Sequence, residues 1–102
     1  MSVDLGAPWS GASAWASING AGGIELELYD HSREAAQSLG GDVAWIYTID
    51  ATEIPRLLPL FCVPDSHALL HAFAERFDHI HQIRDYFKAI GVPFVERFDS
   101  QA

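Results

Sequence analysis

The stretch Ile24-Glu25-Leu26-Glu27-Leu28-Tyr29 decides the fold class, because apolar and polar side chains alternate along it. A period of two is typical of a half-buried β-strand, with one face in the core and the other in solvent. We therefore expect its three apolar residues to face inward, and Glu25, Glu27 and Tyr29 to face outward. A strand of this kind predicts a sheet with one covered face and one open face.

The sequence on either side of this strand predicts further strands. Residues 13–18 have a weak strand pattern, and residues 19–23, rich in Gly and Asn, predict the turn of an antiparallel hairpin. Residues 43–49 are β-branched or aromatic on both faces, which is typical of a central strand. The polar residues 31–41 predict a loop with room for one helical turn, and we expect residues 1–8 to be flexible.

The second half of the chain predicts three helices. Asp50 and Glu53 have the spacing of a capping box, and Pro55 and Pro59 limit the helix that follows them. We therefore expect that helix to be short or irregular and to end at about Phe61. The second and third helices are amphipathic, because apolar residues repeat along one face of each.

A last strand follows the helices. Gly91 is typical of a residue that ends a helix, and residues 92–98 predict a strand that Pro93 directs to a sheet edge. The predicted order is β-β-β-α-α-α-β in a single domain of 102 residues. Strands, then helices, then one closing strand predict an α+β fold with an antiparallel sheet and helices packed on one face. The order of the strands in the sheet stays open.

The charge of the chain restricts its partners. There are 14 acidic residues against 6 Lys and Arg, which gives a net charge of -8. Eight of the acids, but only one of the bases, lie within residues 1–55. An acidic surface repels nucleic acids and anionic membranes, so we expect neither as a partner. Two interpretations remain: the acids serve solubility, or they form a face that binds a basic protein.

Cysteine usage and the start of the chain indicate the compartment. A single cysteine, Cys62, excludes an internal disulfide framework and fits a reducing environment. The first residues carry Asp4 where a signal peptide needs a basic region. No apolar run approaches the roughly 18 residues of a membrane span. We therefore expect a soluble, cytoplasmic protein.

The sequence offers weak candidates for chemistry. His67 and His71 have a spacing that can hold zinc or copper, but they fall on the predicted solvent face of a helix. Cys62 could act as a nucleophile beside a histidine, yet its apolar neighbours indicate a small hydrophobe. Residues 20–23 look like a phosphate loop but precede a strand instead of a helix. We predict no enzymatic activity, no metal and no cofactor; a small enzyme or metal binder using the histidines is the third hypothesis.

Four segments carry a family resemblance: residues 25–30, 42–50, 53–58 and 89–94. Their layout resembles that of small bacterial immunity proteins that accompany polymorphic or contact-dependent toxins, over roughly residues 24–98. The resemblance implies a stand-alone cytoplasmic protein that binds a cognate toxin domain and blocks it. Many such toxins are nucleases with basic clefts, which an acidic inhibitor can complement. The Gly-rich, Trp-bearing residues 6–23 lie outside this pattern.

These considerations predict a partner-binding set on the sheet. Its acids would give electrostatic complementarity, and its aromatics would be anchors buried in the interface. The predicted residues are Glu25, Glu27, Asp30, Asp42, Trp45 and Tyr47. Core packing is the other interpretation of the two aromatics, because the sequence leaves open which face meets the helices. The alternative function is an interaction or structural module without catalytic activity that forms a homodimer through its open sheet.

Overall fold

In the computed structural model, the described residues form five antiparallel strands that pair in the order of the sequence, and three helices between the fourth and fifth strands. The structure describes residues 2–31 and 43–99. The strands are β1 (Ser2–Asp4), β2 (Ala12–Ile18), β3 (Ile24–Asp30), β4 (Val43–Ile49) and β5 (Val95–Asp99). The helices are α1 (Ile54–Phe61), α2 (Ser66–Arg76) and α3 (Ile80–Ile90). The predicted α+β class is confirmed, and the strand order is that of a simple meander.

The first strand was not predicted. Residues 1–8 were expected to be flexible, but Ser2–Asp4 pair with β2, so that expectation is wrong for this part of the segment. Val3 pairs with Ala16, and both Val3 and Leu5 are buried. The physical reason is burial of these two apolar side chains, which ties the start of the chain to the sheet edge.

The hairpin between β2 and β3 depends on two residues. The Asn19 side chain accepts hydrogen bonds from the backbone N–H groups of Ala21 and Gly23, at 3.0 and 2.9 Å. A Cβ on Gly23 would lie 2.5 Å from the carbonyl oxygen of Ile49 on β4. The predicted turn is confirmed, and Gly23 allows the start of β3 to approach the end of β4 closely.

The core lies between the sheet and the helices. Ile24, Leu26 and Leu28 are completely buried on the helix-covered face, as the alternation predicts. On the same face, β2 contributes the buried alanines at positions 12, 14 and 16 and, at its end, the partly buried Ile18. Because the alanine side chains are small, α2 can lie close over β1 and β2, while α3 lies over β3.

Capping residues mark several of the helix ends, whereas α1 and α3 begin without a side-chain cap. The Asp50 carboxylate accepts a hydrogen bond from the Thr52 N–H, and a 3₁₀ turn over residues 51–53 leads into α1. Asp65 caps α2 in the same way, at 2.9 Å from the Ala68 N–H. Gly91 ends α3 in the left-handed conformation, with φ of 75°. The first helix is short and contains Pro59, as expected.

A compact aromatic cluster and Arg56 hold the helices together. Phe61 packs edge-on against Phe73, with ring centroids 5.3 Å apart. The Arg56 guanidinium donates to the Ile90 carbonyl at 2.6 Å, which joins α1 to the end of α3.

Within residues 2–31 and 43–99, no single helix is long and apolar enough to span a membrane. Residues 51–61 and 66–76 meet the length and composition needed only as a pair, which is bent by 58°.

Candidate protein-binding surface

The side of the sheet opposite the helices, which we call the open face, carries the side chains that alternate with the core residues. No helix among the described residues packs on it, since the buried faces of α1, α2 and α3 all join the core on the other side. It is built by Ser2, Asp4, Ser13, Trp15, Ser17, Glu25, Glu27, Tyr29, Ala44, Ile46, Thr48, Val95, Arg97 and Asp99.

Glu25 and Glu27 lie at the centre of the open face. They belong to β3, the middle strand of the five, and their predicted outward orientation is confirmed by the burial of the alternate residues. Both residues are half-buried. Glu27 faces Trp15 on one side and Ile46 on the other. Glu27 is thus flanked by an aromatic and an apolar side chain, whereas Glu25 lies between Ser17 and Thr48.

The charges on the open face are unbalanced. Partial burial raises the pKa of Glu27 above its ordinary value, and the negative charges of Glu25 and Asp99 raise it further. Only Arg97 acts in the opposite direction. With Asp4, the described part of the face holds four carboxylates and one guanidinium. A cation brought to this face would relieve the repulsion between the acids.

Trp15 is the main residue of this face that the sequence prediction missed. In the register it lies between Asp4 on β1 and Glu27 on β3, so carboxylates flank the indole on both sides. A shallow depression of about 530 Å³ lies beside it, with Asp4 and Ser13 also in its lining. An aromatic surface between carboxylates suits a Lys or Arg side chain, through cation–π contact and ion pairing.

Trp45 and Tyr47 do not lie on the open face. In the register Tyr47 is opposite Leu26 and Trp45 is opposite Leu28, which places both on the helix-covered face. Tyr47 is only 2% exposed, and the Arg84 guanidinium donates a hydrogen bond to its hydroxyl. Their placement beside the acids on the exposed face is therefore wrong, because β4 is apolar on both sides and the bulkier row fills the core.

Asp30, another predicted acid of the binding set, does not join the central pair. Asp30 is 8% exposed and lies on the helix-covered face, opposite Ala12 and Val43. The prediction that it belongs to an exposed acidic surface is wrong, because the alternation of β3 turns it inward. Asp42 lies outside the described residues.

A partly exposed aromatic row lies on the helix side of the sheet. It runs from Trp9 to Trp45 to Phe98, with ring centroids 6.5 and 5.3 Å apart. Trp9 also contacts His81, at 5.8 Å, and burial lowers the pKa of this histidine. Trp9 and Phe98 remain 37% and 49% exposed. This aromatic row ends at β5, the last strand of the sheet.

The candidates for chemistry are spread over the helical layer. His67 and His71 lie on the exposed side of α2, as predicted. Cys62 is exposed and not buried as a hydrophobe, because it ends α1 in the left-handed conformation. Across the described ranges, no three His, Cys, Asp or Glu side chains are grouped so that they could hold a metal ion.

The chain was compared with known proteins at three levels. No family model, curated protein or solved structure matches it.

Proposed function

We propose that this protein is an immunity protein that binds a cognate toxin domain through the open face and neutralises it. The observation that carries the proposal is the pair Glu25 and Glu27 at the centre of the open face, with Trp15 opposite Glu27. The resemblance of residues 24–98 to small immunity proteins supports the same function. The protein would act in the cytoplasm by occlusion, without a reaction of its own.

The charge of the open face determines the kind of partner. A toxin that acts on nucleic acid needs a basic cleft, and the net charge of -8 on this chain attracts such a surface over a distance. Electrostatic attraction raises the association rate and orients the two surfaces before they meet. A nuclease domain is therefore the toxin class that this surface fits best. Trp15 would be the central anchor, in the role that large aromatics have in protein interfaces.

The same charges oppose a homodimer formed through the open face. A two-fold axis brings identical patches together, so the central acids of one copy would face those of the other. Glu27 already has a raised pKa because of burial and the charge of Glu25, and a second acidic pair would increase the repulsion. A basic protein of a different kind is the better occupant.

The test combines genetics with purification. The chain is co-expressed with the protein encoded immediately upstream of its gene, and growth rescue and co-purification are scored. Glu25→Lys with Glu27→Lys should abolish both, because the substitution reverses the charge at the centre of the open face. Glu75→Lys with Asp78→Lys is the matched control, since it changes the net charge equally at exposed residues of the helical layer.

Each outcome decides the proposal. If rescue and co-purification are lost only in the open-face variant, the result supports an immunity protein that binds through this face. A complex that survives the charge reversal would place the binding surface elsewhere. An upstream protein that is not toxic and does not bind would refute the immunity function.

A further inference from the structure

The edge of the sheet formed by β5 is built for association. β5 pairs with β4 on one side, and no strand among residues 2–31 and 43–99 pairs with its other side. All five of its residues are exposed, including Val95 at 69% and Phe98 at 49%. An edge strand presents unpaired N–H and C=O groups that can pair with another strand. Exposed apolar side chains on such an edge add a reason to pair.

The charges of β5 select one symmetric register. A two-fold axis perpendicular to the sheet pairs β5 with its own copy in antiparallel fashion and keeps corresponding faces on the same side. An axis at Glu96 or at Arg97 would place identical charges opposite each other, which is destabilising. An axis at Phe98 places Arg97 of each copy opposite Asp99 of the other. Only this last register pairs opposite charges, and it does so twice.

The aromatic row gives independent support for the axis at Phe98. Phe98 is opposite Trp45 in the register, and their ring centroids are 5.3 Å apart. With the axis at Phe98, the next residue in this row is Phe98 of the second copy. The row would then continue from one molecule into the other, and it would cover the aromatic surface that is exposed in a single chain.

We propose that two copies of this chain associate through β5, with the two-fold axis at Phe98 and reciprocal Arg97–Asp99 ion pairs. The association joins the two five-stranded sheets into one continuous antiparallel sheet. The open faces of the two copies lie on the same side of it, and the contact between the β5 edges does not use them. The dimer therefore does not depend on the proposed immunity function, and it is compatible with a toxin bound to each copy.

The test measures mass in solution by light scattering after size exclusion. A dilution series of the full chain from about 1 mM to about 1 µM covers the range expected of a small, transient interface. The mass should rise with concentration from 11.2 kDa toward twice that value. Arg97→Asp and Asp99→Arg should each remain monomeric over this range, because each creates like-charge pairs at both contacts. Lys88→Asp is the control: it changes the charge by the same amount as Arg97→Asp, but at an exposed residue of α3. This variant should dimerise like the unchanged chain.

Mixing provides the decisive measurement. An equimolar mixture of Arg97→Asp and Asp99→Arg restores opposite charges at both contacts, so the two monomeric variants should form a dimer with each other. Circular dichroism of each variant shows whether it is folded, and the double variant Arg97→Asp with Asp99→Arg should dimerise alone. A chain that stays monomeric at every concentration would overturn the proposal. A dimer that both single charge reversals leave intact would overturn it too.

Discussion

Gly23 determines how closely β3 approaches β4, and replacing it tests the packing that positions the open face. Gly23→Ala adds a Cβ that would lie 2.5 Å from the Ile49 carbonyl oxygen and 3.3 Å from the Ala51 N–H nitrogen. Both neighbours are backbone atoms of the β4 end and the turn after it, so neither can rotate away. Gly23 also donates its N–H to the Asn19 side chain, a contact that a displaced backbone would lose.

The size of the effect follows from these contacts. Overpacking against fixed atoms costs about 1–3 kcal/mol, and a lost turn hydrogen bond adds about 1 kcal/mol. We expect Gly23→Ala to lower the free energy of unfolding by about 2–4 kcal/mol. For a domain near this length, such a loss lowers the melting temperature on the order of 10 °C or more.

The matched control is Gly20→Ala in the same turn. A Cβ on Gly20 meets nothing within 4 Å, so this variant should keep the stability of the unchanged chain to within about 1 kcal/mol. Thermal and urea unfolding, followed by circular dichroism, measure both variants. Equal stabilities for Gly23→Ala and Gly20→Ala would refute the claim that the close approach of β3 to β4 requires glycine.

Three further predictions concern the charge of Glu27, the acid sensitivity due to His81 and the role of Trp15 in binding a toxin. Glu27→Gln should raise the free energy of unfolding at neutral pH by less than about 1 kcal/mol. The reason is that burial and the charge of Glu25 raise the pKa of Glu27 in the folded state. The ionised carboxylate therefore lowers stability above that raised pKa and has no such effect below the ordinary pKa of 4.5. Urea unfolding of both chains at about pH 7 and about pH 3 tests this pH dependence. The same stability difference between Glu27→Gln and the unchanged chain at both pH values would contradict the prediction. Burial lowers the pKa of His81 below 6.5, so the neutral side chain favours the folded state. The stability that results is fully present above pH 6.5 and is lost as the pH falls through the lowered pKa. In urea titrations, the loss of stability in acid should be smaller for His81→Gln than for the unchanged chain. Trp15→Ala should weaken a toxin complex by about 2 kcal/mol or more in calorimetry, whereas Ser13→Ala should bind like the unchanged chain.

Alternation and caps made much of the fold predictable. The strict pattern of β3 fixes which of its residues face the core, and the same rule places Asp30 inside, although it was assigned to the exposed acids. Asp50 and Gly91 mark helix ends through local hydrogen bonding and backbone geometry, which depend on few neighbours. Ser2–Asp4 escaped prediction because three residues are too few to show a period.

The candidate surface was harder to predict, for reasons visible in β2 and β4. Three of the four inward residues of β2 are alanines, so the contrast with Trp15 on the open face is weak. β4 is apolar on both sides, and its sequence cannot show whether Tyr47 faces helices or solvent. The answer depends on the register with Leu26, which is a long-range contact. Glu25 and Glu27 were assigned to the outside because their own strand carries the signal.

The separation of the two faces of the sheet affects how this protein can change over generations. Leu26, Tyr47 and the alanines of β2 hold the helices, whereas Trp15, Glu25 and Glu27 alternate with them and pack against no described helix. Substitutions at Trp15, Glu25 and Glu27 change the shape and charge of the open face but leave most of the packing energy of the core in place. Under the proposed function, a lineage could follow a changing toxin by altering alternate residues of β2 and β3, without rebuilding its core.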